Sequence, residues 1–163
     1  MNCPTNYSLC GTLTIESGLG KNHYHGVQPG VHGLWPEVKP YGTSECVTPL
    51  NTTFNINDSN SGLMCNYVNE TRDNFWFAEH EWTKHGLCSG TGPALNYFIM
   101  MCTLGHPIVQ MLAMSNTWLQ MKESIAFSDW KDYIYKFDNK NKQFLFSVCS
   151  IGNGIWDFCT ASS

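Results

Sequence analysis

The sequence predicts an α+β fold: a central antiparallel β-sheet with helices packed on it, stapled by disulfides. Three observations predict it. Short alternating or β-rich runs lie near both ends of the chain, and helical stretches bracketed by Gly and Pro lie between them. Eight cysteines in 163 residues point to an oxidising compartment and to as many as four disulfides. The composition is globular, at 42% hydrophobic and 13% charged, which argues against disorder and against a coiled coil. A single domain covering 1–163 is expected, with no linker and no internal repeat.

Cys3 to Cys10 reads as a cysteine-bounded turn. Thr12-Leu13-Thr14-Ile15-Glu16 alternates apolar and polar and predicts a short strand that Gly18 and Gly20 end. His23-Tyr24-His25 lies among glycines and reads as loop or edge strand, with exposed histidines rather than a metal pair. Val31-His32-Gly33-Leu34-Trp35-Pro36 predicts a strand ended by its proline. Residues 37–62, rich in Pro, Gly, Thr, Ser and Asn, predict a long surface loop tied down by Cys46. Residues 74–85 hold no Pro or Gly and predict a helix. Asp73 or Asn74 is its expected N-cap, and Gly86 the residue past its end. A second helix is expected over 94–101, after Pro93, and a third after Pro107, with the methionines as core filling. Trp130, Tyr133, Tyr135 and Phe137 precede a polar turn at 138–141. Residues 143–149 then predict a buried strand, and Gly152-Asn153-Gly154 a hairpin turn to a partner strand at 155–159.

No run of about 18 apolar residues is present, so no membrane helix is expected. Asn6, Asn51, Asn57 and Asn69 each open an N-x-S/T triplet, three of them clustered in one polar stretch, which supports secretion and glycosylation. No apolar leader follows Met1, so a secreted protein would be present here in mature form.

The densest chemistry is Trp76-Phe77-Ala78-Glu79-His80-Glu81-Trp82-Thr83-Lys84-His85-Gly86-Leu87-Cys88. On a helix Glu81, Lys84 and His85 share a face, and a Glu81–His85 hydrogen bond at i, i+4 would orient the imidazole. His80 lies in line with Lys84. A zinc site of the His-Glu-x-x-His kind is not expected. His80 and His85 stand five apart, about 140° beyond a full helical turn, and Lys84 occupies the ligand position. The plain alternative is a surface helix with i, i+4 pairs and a buried tryptophan. Against it stands His32, beside another tryptophan. Two histidines, a lysine and a carboxylate can move a phosphodiester to a neighbouring hydroxyl. One histidine takes a proton, the other gives one, and the charged pair meets the transition state.

His32-Gly33-Leu34-Trp35-Pro36 followed by His80-Glu81-Trp82-Thr83-Lys84-His85-Gly86-Leu87-Cys88 resembles the two active-site segments of the ribonuclease T2 family, the acid ribonucleases of secretions, vacuoles and lysosomes. The resemblance implies endonucleolytic cleavage of RNA without metal or cofactor, through a 2′,3′-cyclic phosphate to a 3′-phosphate. It implies His32 as general acid, His85 as general base, and Glu81 and Lys84 as transition-state stabilisers. His80 would hold phosphate or polarise the site. Trp35 would stack on a base, as aromatic platforms do with single-stranded RNA. Phe77 would line a base pocket, and Glu37 and Tyr41 are the other candidates for base contact. The resemblance also implies Cys46–Cys88 and Cys149–Cys159 disulfides, which leave Cys3–Cys10 and Cys65–Cys102.

The sequence departs from the family in three places. Leu87 stands where threonine is commoner. Three residues rather than one separate Phe75-Trp76 from His80. The family's strand with Trp-Pro and a base-contacting glutamine has no counterpart ahead of the first cysteines. The formal charge of −4 is unfavourable for an RNA partner. Protonating all six histidines raises it by six, to +2, so an acidic working pH is expected, in a secreted or lysosomal/vacuolar monomer. An inactive relative that binds RNA or a receptor is the alternative.

Overall fold

The computed structural model describes residues 4, 6–7, 9–37, 53–55 and 74–160. Its centre is an antiparallel sheet built from β1 (Cys10–Glu16), β2 (Gly30–Glu37), β3 (Ile134–Asp138), β4 (Gln143–Gly152) and β5 (Ile155–Phe158). The strand order is β2-β1-β4-β3, with β5 also paired to β4. Among the described residues three α-helices, α1 (Asn74–Lys84), α2 (Ala94–Leu112) and α3 (Trp118–Ala126), join the sheet in an α+β fold. Among the described residues no helix is long and apolar enough to cross a membrane.

All seven residues of β1 are buried, although the sequence alternates. Its position explains this, because β2 pairs with one side of it and β4 with the other. Leu13 and Ile15 face the main core with Val31, Leu34, Phe144, Phe146 and Val148. Cys10, Thr12, Thr14 and Glu16 take the opposite face, where Cys10 packs with Cys149 and Cys159. Cys149 and Cys159 are bonded to each other. Cys10, Cys88 and Cys102 are also disulfide-bonded. Their expected partners Cys3, Cys65 and Cys46 lie outside the described residues, as do Asn51, Asn57, Asn69 and nearly all of the 37–62 loop.

The helices correct two expectations. Pro107 does not begin a helix but lies within one, since α2 runs unbroken from Ala94 to Leu112. Pro107 is exposed, so its ring is accommodated on the outer surface. The helix persists because its other face buries Tyr97, Phe98, Met101, Cys102, Leu104, Ile108, Val109 and Leu112 in the core. Gly105 lies inside the same helix. A Cβ there would come within 2.4 Å of Val31 Cγ2, so the glycine is what lets α2 lie close on the sheet. Trp118 then opens α3, with the Thr117 hydroxyl accepting from the Gln120 N–H as N-cap.

Gly86 lies past the end of α1, as expected, but without a positive φ. α1 ends at Lys84, and Gly86–Cys88 continues as a 3₁₀ turn. A Cβ on Gly86 would sit 2.2 Å from the Trp82 ring, so the glycine makes room for indole packing. The final hairpin agrees with its sequence signal, for Asn153 and Gly154 both have positive φ, as a tight primed turn requires. Pro36 does not end β2, which reaches Glu37. It pairs opposite Gly11 on an outer strand of the sheet, where a missing N–H is tolerated. The His23 segment is a 3₁₀ turn, Asn22–Tyr24, closed by a bridge between Leu19 and His25.

Candidate active site

The site begins with a bulge in β2. Gly33 pairs with Thr14 and Val31 with Ile15, so His32 is the extra residue between them. A bulge re-aims side chains, and here it places His32 and Gly33 together on the face of β1 that carries Glu16. His32 Nδ1 is bonded to Glu16 Oε1. Gln143, opposite Glu16 in the β1–β4 register, lies against the same pair. Its Nε2 is 3.4 Å from Glu16 Oε1 and 3.1 Å from His32 Nδ1.

The second wall is α1. Ala78 and Trp82 enter the core, Phe77 and Glu81 turn toward β2, and Trp76 and His80 face outward. These are three stripes of a 3.6-residue period. The Glu81 carboxylate lies over Gly33, where a Cβ would meet its Oε2 at 2.1 Å. Glu81 Oε1 faces His32 Nε2 at 3.3 Å, and Oε2 accepts from Trp35 Nε1 at 3.0 Å. The expected Glu81–His85 side-chain pair is therefore not made. His85 leaves helical geometry, at φ −127°, and its link to Glu81 is the backbone bond from its N–H to the Glu81 carbonyl. Its ring stacks on Trp35 at 5.2 Å, and its Nδ1 is buried with no hydrogen-bond partner among the described residues.

Phe77 meets the His32 ring edge-on at 5.2 Å. His80 is exposed and stacks on Trp76 at 5.4 Å, while Lys84 is exposed at the end of α1. The residues added between Trp76 and His80 thus leave the two rings one helical turn apart. The side chain of Glu37, and all of Tyr41, lie outside the described residues. Among the described residues no group of three His, Cys, Asp or Glu is arranged to hold a metal ion.

Electrostatics drive the two histidines apart. Burial alone would lower the His32 pKa, but hydrogen bonds and charges from Glu16 and Glu81 overcome it and raise the value to about 9. His85 moves the other way. Burial, outweighing the pull of Glu81 and joined by repulsion from His80, His32 and Lys84, lowers it to about 4. Burial would raise the Glu81 pKa, yet the bond and charge of His32, the charge of His85 and the Trp35 bond hold it below the usual carboxylate range. A charged imidazole and a neutral one thus flank one carboxylate.

Sequence reading missed Glu16 and Gln143. Each sits at the end of a buried strand, and a polar residue closing a buried strand was the available signal.

The profile of the ribonuclease T2 family matches residues 6–151. The chain belongs to the ribonuclease T2 family. It is 40% identical over 91 residues to Ribonuclease DdI of Dictyostelium discoideum, covering 53% of this chain and 37% of that protein. It is 37% identical over 65 residues to Ribonuclease MC of Momordica charantia, covering 36% of this chain and 32% of that protein. The chain thus spans about a third of the length of these relatives. No solved structure matches it significantly. The T2 family match takes in β1, β2, α1 and most of β4, the elements that build the site.

Proposed function

We propose that this chain is an endoribonuclease that cleaves single-stranded RNA by moving the phosphodiester to the neighbouring 2′-hydroxyl. The 2′,3′-cyclic phosphate formed is then hydrolysed to a 3′-phosphate. The observation that carries this reading is the opposite bias of two histidines across Glu81. His85, neutral down to about pH 4, suits a base that takes the 2′-hydroxyl proton. His32, charged up to about pH 9, suits the acid that protonates the leaving 5′-oxygen. The two protons exchange places, so the enzyme's charge is unchanged after the first step. In the hydrolysis the roles reverse, with His32 activating water and His85 returning its proton.

Lys84 reaches the developing phosphorane charge from the open side, and Glu81 holds His32 and Trp35 in register. Trp35 and Phe77 offer aromatic surface to bases, and His80 a contact to phosphate. Proton transfer between two imidazoles needs neither metal nor cofactor. The bonded cysteines support a secreted or lysosomal/vacuolar setting, in which one catalytic domain acts as a monomer. Cleavage of homopolymeric RNA in excess chelator, with the cyclic phosphate followed by ³¹P NMR, tests the reading. Accumulation and then decay of the cyclic product is expected. A chain that binds RNA without cleaving it would overturn the assignment.

A further inference from the structure

We propose that Glu16 is a positioning residue that clamps His32 from behind, fixing which of its two nitrogens exchanges protons with substrate. The inference rests on the proposed ribonuclease reading for its kinetic consequences, but its geometry stands apart from it. Glu16 is 3% exposed and lies at the end of a strand in the middle of the sheet. A carboxylate there is costly to bury without a partner. Its partners are His32 Nδ1 and the Gln143 amide, both from strands paired with β1 or within reach of it. None of the steps assigned to His32, His85, Glu81 and Lys84 uses Glu16.

The clamp is directional. Nδ1 is occupied by Glu16 on the sheet side, whereas Nε2 faces Glu81 at the looser distance of 3.3 Å. The Nδ1–H bond to Glu16 survives in both states of the imidazole, so Nε2 is the atom that loses and regains its proton. When His32 gives the Nε2 proton to a leaving oxygen, the product is the neutral Nδ1–H tautomer, already bonded to Glu16. No ring flip or tautomer exchange is then needed before the reverse transfer. The bulge is what makes this possible, because an unbulged β2 would turn His32 or Gly33 to the other face of the sheet.

The groups facing His32 from each neighbouring element set its titration. They are Glu16 on β1, Gln143 on β4, Glu81 and Phe77 on α1, Trp35 on β2, and Tyr24 from the 3₁₀ turn, its ring stacked at 6.3 Å. Of the two carboxylates, only Glu16 contacts Nδ1. Glu81 would remain in a variant lacking the Glu16 charge, so the two contributions separate.

The test is an NMR titration of the His32 ring, following its ¹⁵N shifts in the whole chain, beside RNA cleavage as a function of pH. In the unsubstituted protein His32 is expected to titrate above pH 8 and to be the Nδ1–H tautomer once neutral. Titration below pH 7, or an Nε2–H tautomer, would overturn the proposal without using any variant or any activity. With Glu16→Gln, the His32 midpoint and the alkaline limb of kcat should fall together by one to two pH units. kcat should drop ten- to a hundred-fold with KM nearly unchanged, and Glu16→Asp should restore part of each. A loss of kcat with the alkaline limb and the ring titration unmoved would make Glu16 a packing residue only. If RNA is not cleaved by the unsubstituted chain, the ribonuclease reading fails, and the ring titration still decides the clamp.

Discussion

At single residues the strongest expected effects are those of His32→Phe and His85→Phe. Each removes one proton carrier, a role worth about 10²- to 10⁴-fold, and His32→Phe should also lower stability, because it leaves Glu16 and Glu81 buried without their imidazole partner. Retention of a tenth of the original turnover in either variant would refute the proton relay. Trp35 has contacts beyond its proposed stacking on a base. Its indole N–H bonds Glu81 and its ring stacks on His85, so Trp35→Phe should be destabilising even though it keeps an aromatic ring. Losing a hydrogen bond to a buried carboxylate costs about 1.5–3 kcal/mol, which a thermal or urea unfolding midpoint would register. The histidines also make stability depend on pH in opposite senses. The folded pKa of His32 is raised to about 9 from an unfolded 6.5. Its contribution is therefore complete below 6.5 and lost as pH rises through 9. The folded pKa of His85 is lowered to about 4, so protonation favours the unfolded chain as pH falls from 6.5 toward 4. Urea midpoints across pH 4–10 should decline at both ends, and His32→Phe should remove the alkaline decline. The side chains proposed to react were legible as a cluster because they sit in two short segments of unusual composition. Glu16 and Gln143 were not, since their meaning arises only when strands 127 residues apart pair.

At the scale of elements, the β2 bulge and α1 meet at Gly33. Gly33→Ala would drive a methyl into the Glu81 carboxylate, and overpacking of this kind costs about 1–3 kcal/mol. Turnover should fall with it, because Glu81 would lose its place between His32 and Trp35. A variant with unchanged melting and kinetics would mean that the carboxylate has room to move. Pro107 offers the opposite case. It denies α2 the hydrogen bond to the Thr103 carbonyl, so Pro107→Ala should stabilise the chain by about 1 kcal/mol, once the unfolded-state entropy of proline is set against the regained bond. The sequence made α1 readable through an unbroken run between Asn74 and Gly86, and it made the last hairpin readable through Asn153-Gly154. It hid the continuity of α2, because Gly105 and Pro107 are local stop signals that long-range burial overrides. It hid the bulge as well. An extra residue in one strand is visible only against its neighbour.

For the whole molecule, the Cys149–Cys159 bond closes a loop with a sequence separation of 10, joining β4 to the chain just past β5. Replacing both cysteines by serine should cost about 2–4 kcal/mol. Activity below the new melting temperature should be kept, since the bond lies at the opposite end of β4 from Gln143. Another consequence follows from Tyr97. Its buried hydroxyl accepts from the Leu34 N–H at 3.3 Å and donates to the Leu34 carbonyl at 3.0 Å. Burial pushes its pKa well above the ordinary tyrosine range, so the donor stays protonated at any physiological pH. These are the backbone groups that β2, the outermost strand on its side among the described residues, would otherwise offer to a further strand. Tyr97 thus occupies backbone groups that a foreign strand would need, and is expected to protect the edge of β2 against edge-to-edge aggregation. Light scattering of Tyr97→Phe during slow heating would reveal the unguarded edge as turbidity that begins before the loss of secondary structure.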